Sequence, residues 1–196
     1  MVIKKIAILF SGSGSNLEAI LQKVHNKTFG NTKIVCSLLI CNNSKAYGIE
    51  RANKYQLTTQ IIDHRKFNSR EEFDRALVDR IKKENISLTV LAGFMRILTP
   101  VFTDNIKAIN LHPSILPLFK GANAIKESFE SDMMLGGVSI HYVSSELDGG
   151  KLIVQRAFER TNNMSFEEWE EKIHSIEHEL LPETIIKLLT KKVGNA

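Results

Sequence analysis

The chain alternates short apolar runs with longer segments in which apolar residues recur every three or four positions. Short runs rich in branched aliphatic residues predict strands, and the helical recurrence predicts amphipathic helices. On that basis strands are expected over residues 3–10, 34–41, 59–62, 88–92, 107–111, 138–143 and 152–157. Helices are expected between them over 16–25, 46–55, 69–84 and 124–131. A last helix is expected over 165–191, broken near Pro182, with Phe166, Trp169, Ile173, Ile176 and Leu180 as its apolar stripe. Ser69 with Glu72, and Ser165 with Glu168, spell capping boxes at two helix starts. Strand and helix in alternation imply an α/β fold. We expect a single Rossmann-like domain over 1–196, a mostly parallel twisted sheet of about seven strands with helices on both faces. Ligands of such folds sit beyond the carboxyl ends of the strands.

Composition changes this picture little. A chain of 196 residues, 43% hydrophobic, builds a full-sized core. The net charge of +4 is spread along the chain, apart from Lys187, Lys191 and Lys192, so a nucleic-acid partner is not expected. No uninterrupted apolar run approaches the length of about 18 residues that a membrane helix needs. The start, Met1-Val2-Ile3-Lys4-Lys5, lacks the order of a signal peptide, so a cytoplasmic protein is expected. Alternation along the strand would put the two cysteines, Cys36 and Cys41, on opposite faces, as buried free thiols of a reducing compartment.

Four segments carry candidate chemistry. Asn110-Leu111-His112 lies at a predicted strand end, halted by Pro113. Residues i and i+2 of a strand share a face, so an amide donor and a protonatable ring project side by side. That pair suits a reaction in which an oxyanion develops. Ser11-Gly12-Ser13-Gly14-Ser15-Asn16-Leu17 joins the first strand to the first helix, where free N–H groups attract an anion. Leu17 replaces the third glycine of a dinucleotide fingerprint, and no Gly-Lys-Ser/Thr follows. As a plain turn, the same segment would cap the helix with Ser or Asn. Ala92-Gly93-Phe94-Met95-Arg96-Ile97-Leu98 reads either as a pocket wall or as core with one surface arginine. Asp148, before Gly149-Gly150, reads either as turn chemistry or as a carboxylate that contacts His112 and raises its pKa.

His174-Ser175-Ile176-Glu177-His178 spells H-x-x-E-H, the two-histidine pattern of some zinc hydrolases. Such a site needs a third protein ligand, and no well-separated acidic element follows, so no metal is expected. Glu177 is then either a carboxylate beside a buried stripe or part of a solvated helix face. His25, His64 and His141 read as surface or satisfied core residues, with the strand of His141 running toward the Asp148 loop.

Taken together, Gly12–Leu17, Leu91–Leu98, Asn110-Leu111-His112-Pro113-Ser114, Leu116-Pro117 with Phe119-Lys120-Gly121, Leu147-Asp148-Gly149-Gly150 and Glu177-His178 resemble the small, folate-dependent phosphoribosylglycinamide formyltransferases of purine biosynthesis. The order and spacing match over about Ile6 to Pro182. The resemblance implies formyl transfer from 10-formyltetrahydrofolate, a cosubstrate of one-carbon metabolism, to the amine of glycinamide ribonucleotide. It further implies that Gly14, Ser15, Asn16 and Glu177 bind the substrate, through its phosphate and its ribose or amine end. Arg70, Met95, Arg96, Ile97, Leu98 and Asn110 would line the folate pocket, and Asn110, His112 and Asp148 would carry the catalysis. The N-terminal part would bind the nucleotide and the C-terminal part the folate, in a monomer or homodimer without metal. Ile125 departs from a histidine common in relatives, Val138 from a small polar residue, and the end at Val193–Ala196 from a longer terminal hairpin. The rivals are methionyl-tRNA formyltransferase and formyltetrahydrofolate hydrolase, whose extra domains are not expected here, and a non-catalytic binding module, which the intact Asn110, His112 and Asp148 set disfavours.

Overall fold

A computed structural model describes residues 1–190. Its strands are β1 (Val2–Phe10), β2 (Lys27–Phe29), β3 (Thr32–Cys41), β4 (Thr59–Ile61), β5 (Leu88–Leu91), β6 (Ala108–His112), β7 (Leu135–Tyr142) and β8 (Leu152–Glu159). The helices are α1 (Ser15–Lys23), α2 (Gly48–Lys54), α3 (Arg70–Lys82), α4 (Pro100–Thr103), α5 (Ala124–Glu130) and α6 (Phe166–Thr190).

All eight strands join one sheet in the order β2-β3-β1-β5-β6-β7-β8, with β4 also on β3. The core strands β4, β3, β1, β5 and β6 run parallel, while β2, β7 and β8 pair antiparallel. The mostly parallel α/β sheet expected from the sequence is therefore present, with one strand more. The extra strand, β2, is three residues long, too short to show a period. The four-residue α4, opened by Pro100, was likewise too short to read.

Residues Ile6–Phe10 of β1 are wholly buried, as a central parallel strand covered on both faces must be. Ile6, Ile8 and Phe10 pack under α1 and α6, whose Leu17, Ile20, Trp169 and Ile173 complete that layer. Ala7 and Leu9 face the other layer with Phe73 and Leu77 of α3 and Phe102 of α4.

Two expectations are corrected. Cys36 and Cys41 do not lie on opposite faces. The β1–β3 register slips at Ile6/Ala7, which pair with Cys36 and Leu38, so Ser37 is an extra residue. Both thiols consequently enter the α1/α6 layer, free and buried. Burial pushes both thiols above their ordinary pKa.

The last helix is not broken at Pro182 either. Proline lacks the N–H that would bond the carbonyl four residues earlier, here that of His178. Lys23 of α1 supplies the missing donor, its Nζ 3.0 Å from the His178 oxygen. The predicted end at Lys191, with Lys192 and Val193–Ala196, lies outside the described residues. Both capping boxes form. Ser165 N–H donates to Glu168 and Glu168 N–H to Ser165 Oγ. At the other, Glu72 N–H donates to Ser69 Oγ, while the Glu72 carboxylate reaches one residue further, to Asn68 N–H.

Candidate active site

The carboxyl ends of β1, β5 and β6 lie side by side, because these three strands are parallel neighbours. A cavity of about 500 Å³ opens beyond β5 and β6, within the range of small-molecule sites. Asn110 and His112 form part of its lining from the end of β6. Register places Asn110 opposite His141 of antiparallel β7, so the two side chains share a face. Asp148 enters from the loop between β7 and β8 in a left-handed backbone conformation. Gly150 lets that loop close, since a Cβ there would overlap the Tyr142 carbonyl oxygen.

The three predicted catalytic residues therefore meet. His112 Nδ1 lies 3.4 Å from Asp148 Oδ2, and its Nε2 lies 2.7 Å from the Phe119 carbonyl oxygen. Both ring nitrogens thus face acceptor oxygens. Asn110 Nδ2 contacts Asp148 Oδ1 at 3.4 Å and His141 Nε2 at 3.2 Å. His141 Nδ1 faces the Tyr142 carbonyl oxygen at 2.9 Å, so that nitrogen carries a proton, and its Nε2 lies between Asn110 and Asp148.

The Asp148 carboxylate is nearly sealed, at 7% side-chain exposure. Burial pushes its pKa up. The neighbouring His141, the Gly121 N–H at 2.9 Å and the charge of His112 outweigh burial and hold it below the ordinary carboxylate value. A Lys120–Glu146 ion pair at 2.7 Å also ties the loop before α5 to the Asp148 loop.

One wall of the cavity is Gly93–Leu98, together with Arg70 of α3. Arg70, Met95, Arg96, Ile97, Leu98 and Asn110, the six residues the resemblance assigns to a folate pocket, all line this cavity. Met95 is 68% exposed at its mouth. The wall is braced from α3: Arg70 donates to the Ile97 carbonyl at 2.8 Å. Buried Asp74 accepts from the Thr99 N–H at 2.6 Å and from its hydroxyl at 2.7 Å.

The β1–α1 turn adjoins this wall. Ser11 donates its N–H to the Gly93 carbonyl and accepts the Met95 N–H on Oγ. The helix cap is Gly14 in a left-handed conformation, without a side-chain cap, so neither Ser nor Asn fills that place. Only glycine fits, because a Cβ there would overlap Gly48 of α2. The first helical bond is Glu18 N–H to Gly14, which leaves the N–H groups of Ser15, Asn16 and Leu17 ahead of it. Asn16 Nδ2 lies 3.1 Å from Glu177 Oε2, joining α1 to α6. Glu177 is buried rather than on a solvated face.

Reading the sequence missed several participants. His141 and Gly121 hold Asp148, Arg51 pairs with Glu18 and donates to the Ser13 carbonyl, and His174 bonds Glu177 at 2.8 Å. The His174 contact was legible in principle, since helical residues three apart are neighbours. Nothing local to Arg51 signalled its contact. His174 and His178 stack at 6.3 Å, and no cluster of three metal-ligating side chains occurs among the described residues. No helix among them is long and apolar enough to cross a membrane. His25 is satisfied by the Cys36 N–H, whereas His64 Nδ1 is buried without a partner among the described residues.

This arrangement of a donor, an imidazole and a carboxylate at the floor of a ligand-sized cavity is that of a group-transfer enzyme. The sequence matches the model of the formyl transferase family over residues 4–185, and the chain belongs to that family. The fold is similar to the crystal structure of phosphoribosylglycinamide formyltransferase from Campylobacter jejuni subsp. jejuni NCTC 11168. The TM-score is 0.94 at 62% identity, covering 96% of this chain and 99% of the other. Phosphoribosylglycinamide formyltransferase of Bacillus subtilis (strain 168) is 32% identical over 189 residues, 95% of each chain. The trifunctional purine biosynthetic protein adenosine-3 of Chironomus tentans is 36% identical over 187 residues, and the chain spans 13% of its length.

Proposed function

We propose that this formyltransferase moves a formyl group from 10-formyltetrahydrofolate to the amine of glycinamide ribonucleotide, in purine biosynthesis. The observation that carries the reading is the meeting of Asn110, His112 and Asp148 beside an apolar wall at Met95–Leu98. The cavity suits a folate: a broad apolar wall for a ring system, with Arg70 and Arg96 for its acidic end. The turn at Gly14, Ser15 and Asn16 offers N–H groups to a phosphate, and Glu177 offers a carboxylate to the ribose or amine of the same molecule. In this reading one formyltransferase domain spans 1–196, nucleotide-binding in its N-terminal part and folate-binding in its C-terminal part.

The chemistry follows from the contacts. The acceptor amine attacks the formyl carbon, and the carbonyl oxygen becomes an oxyanion. Asn110 donates to that oxygen. Its contacts at 3.2 and 3.4 Å are long, so a developing negative charge outcompetes them. His112 contributes positive charge rather than a spare N–H, because both its nitrogens already face acceptors. Asp148 holds the charged ring in place. The carbon–nitrogen bond to the folate then breaks, and the proton of the attacking nitrogen passes to the departing folate nitrogen.

The test is incubation with both substrates and detection of formylated glycinamide ribonucleotide. Folate release without that product identifies a hydrolase, and no turnover identifies a binding module.

A further inference from the structure

Glu177 is held from two directions on one oxygen. Asn16 Nδ2 lies 3.1 Å and His174 Nδ1 2.8 Å from Oε2. Oε1 has no hydrogen-bond partner among the described residues and is not among the buried orphaned atoms. A carboxylate clamped on one oxygen presents the other in a fixed direction.

We propose that His174 is a positioning residue for the formyl acceptor: its ring N–H fixes Glu177 with Oε1 toward that molecule, and its charge state sets the acceptor's affinity. This rests on the reading of Glu177 as an acceptor ligand given above.

The surroundings of the ring support the assignment. From α6 it faces Glu177, Glu170 and the stacked ring of His178. From α1 come Asn16, which shares Glu177, and Lys23, which is spent on the His178 carbonyl. The positive charges of Lys23 and of Arg51 on α2, the latter paired with Glu18, act on His178. The hydrogen bond to Glu177 raises the His174 pKa, with the charges of Glu177 and Glu170 adding to it and partial burial opposing. Burial pushes His178 the other way. Of the two stacked rings, His174 is thus the one that holds its proton to higher pH.

The sign follows. Below its raised pKa, charged His174 donates to Oε2 and neutralises Glu177 beside a phosphate-bearing ligand. Above it, the charge is lost, and Nδ1 donates in only one of two tautomers. Acceptor binding should therefore weaken as pH rises through this titration. The His174 side chain is 43% exposed, so solvent screening keeps the effect modest.

The experiment measures kcat and both KM values with glycinamide ribonucleotide and 10-formyltetrahydrofolate between about pH 6 and 9, spanning the histidine range. The proteins are wild type, His174→Asn and His174→Ala. The acceptor KM of wild type should rise about three- to fivefold relative to that of His174→Asn across the range. Asparagine keeps a donor near Nδ1 but does not titrate, so the ratio cancels titrations of the acceptor itself. His174→Ala should show the raised acceptor KM at every pH, with kcat and the donor KM following wild type. Superimposable profiles for wild type and His174→Asn, or a loss in kcat instead of KM, would overturn the inference. Wild-type protein that makes no formylated product would overturn the functional reading itself, a separate result.

Discussion

His112, at the end of β6, and Asp148, from the loop between β7 and β8, meet at 3.4 Å with both side chains nearly sealed from solvent. The same Asp148 oxygen accepts the Gly121 N–H, so one carboxylate fixes the ring and the loop beside it.

Removing the donor to the oxyanion, or the carboxylate that holds the His112 ring beside it, should be felt first in turnover. Asn110→Ala should lower kcat about 10²–10³-fold, the usual loss on deleting one such donor. Asp148→Ala should also lose most activity while retaining a cooperative thermal transition. Near-normal turnover in purified Asp148→Ala would remove that residue from the mechanism.

The closure of the Asp148 loop depends on a missing side chain. Gly150→Ala forces a methyl group onto the Tyr142 carbonyl oxygen. Overpacking of this kind costs about 1–3 kcal/mol, and the loop must shift to relieve it. Melting temperature and kcat should fall together. A variant with unchanged kcat would mean that the loop position does not control the chemistry.

Lys23 and Pro182 form a testable pair. Lys23→Met leaves the His178 carbonyl without a donor and should cost about 1 kcal/mol. Pro182→Ala returns a backbone N–H to that carbonyl, so the same lysine substitution made in that background should cost less. Denaturant titrations of the four proteins in the cycle measure the coupling. Strict additivity would show that the lysine does not substitute for the absent N–H.

Two buried aspartates carry opposite pH signatures. Asp148 has a depressed folded pKa, so its contribution is present above the unfolded value and is lost as pH falls through the folded one. Asp74 is raised by burial, against the Thr99 hydrogen bonds, so its ionisation costs stability as pH rises past the ordinary carboxylate range. Asp74→Asn keeps an oxygen for both Thr99 donors and drops the charge, so melting at neutral pH should not fall. Asp74→Ala orphans both donors and should cost about 1–3 kcal/mol. If the asparagine variant melted as low as the alanine one, the charge itself would be what holds the wall.

The sheet was legible because central parallel strands such as β1 and β3 are solid apolar runs, which survive small errors in phase. The Asn110–His112 pair was legible because strand geometry alone puts i and i+2 together. Asp148 was named through its motif and the resemblance, whereas the contacts of Gly121 and His141 with it arise from pairings across separate strands and loops, which no local pattern encodes. Pro182 misled for a related reason, since its compensation comes from Lys23 on another helix. Glu177 could be weighed as buried or solvated, but only α1 packing against α6 decided which.

The extra residue at Ser37 also governs how β3 can be rewritten. Before it, even-numbered positions such as Ile34 and Cys36 point into the α1/α6 layer; after it, odd-numbered ones such as Leu39 and Cys41 do. The two layers are thus written in two opposite parities within a single strand. Deleting Ser37 would restore a regular alternation along the sequence while shortening the strand's reach against β1, so a tidier pattern would encode a worse fit.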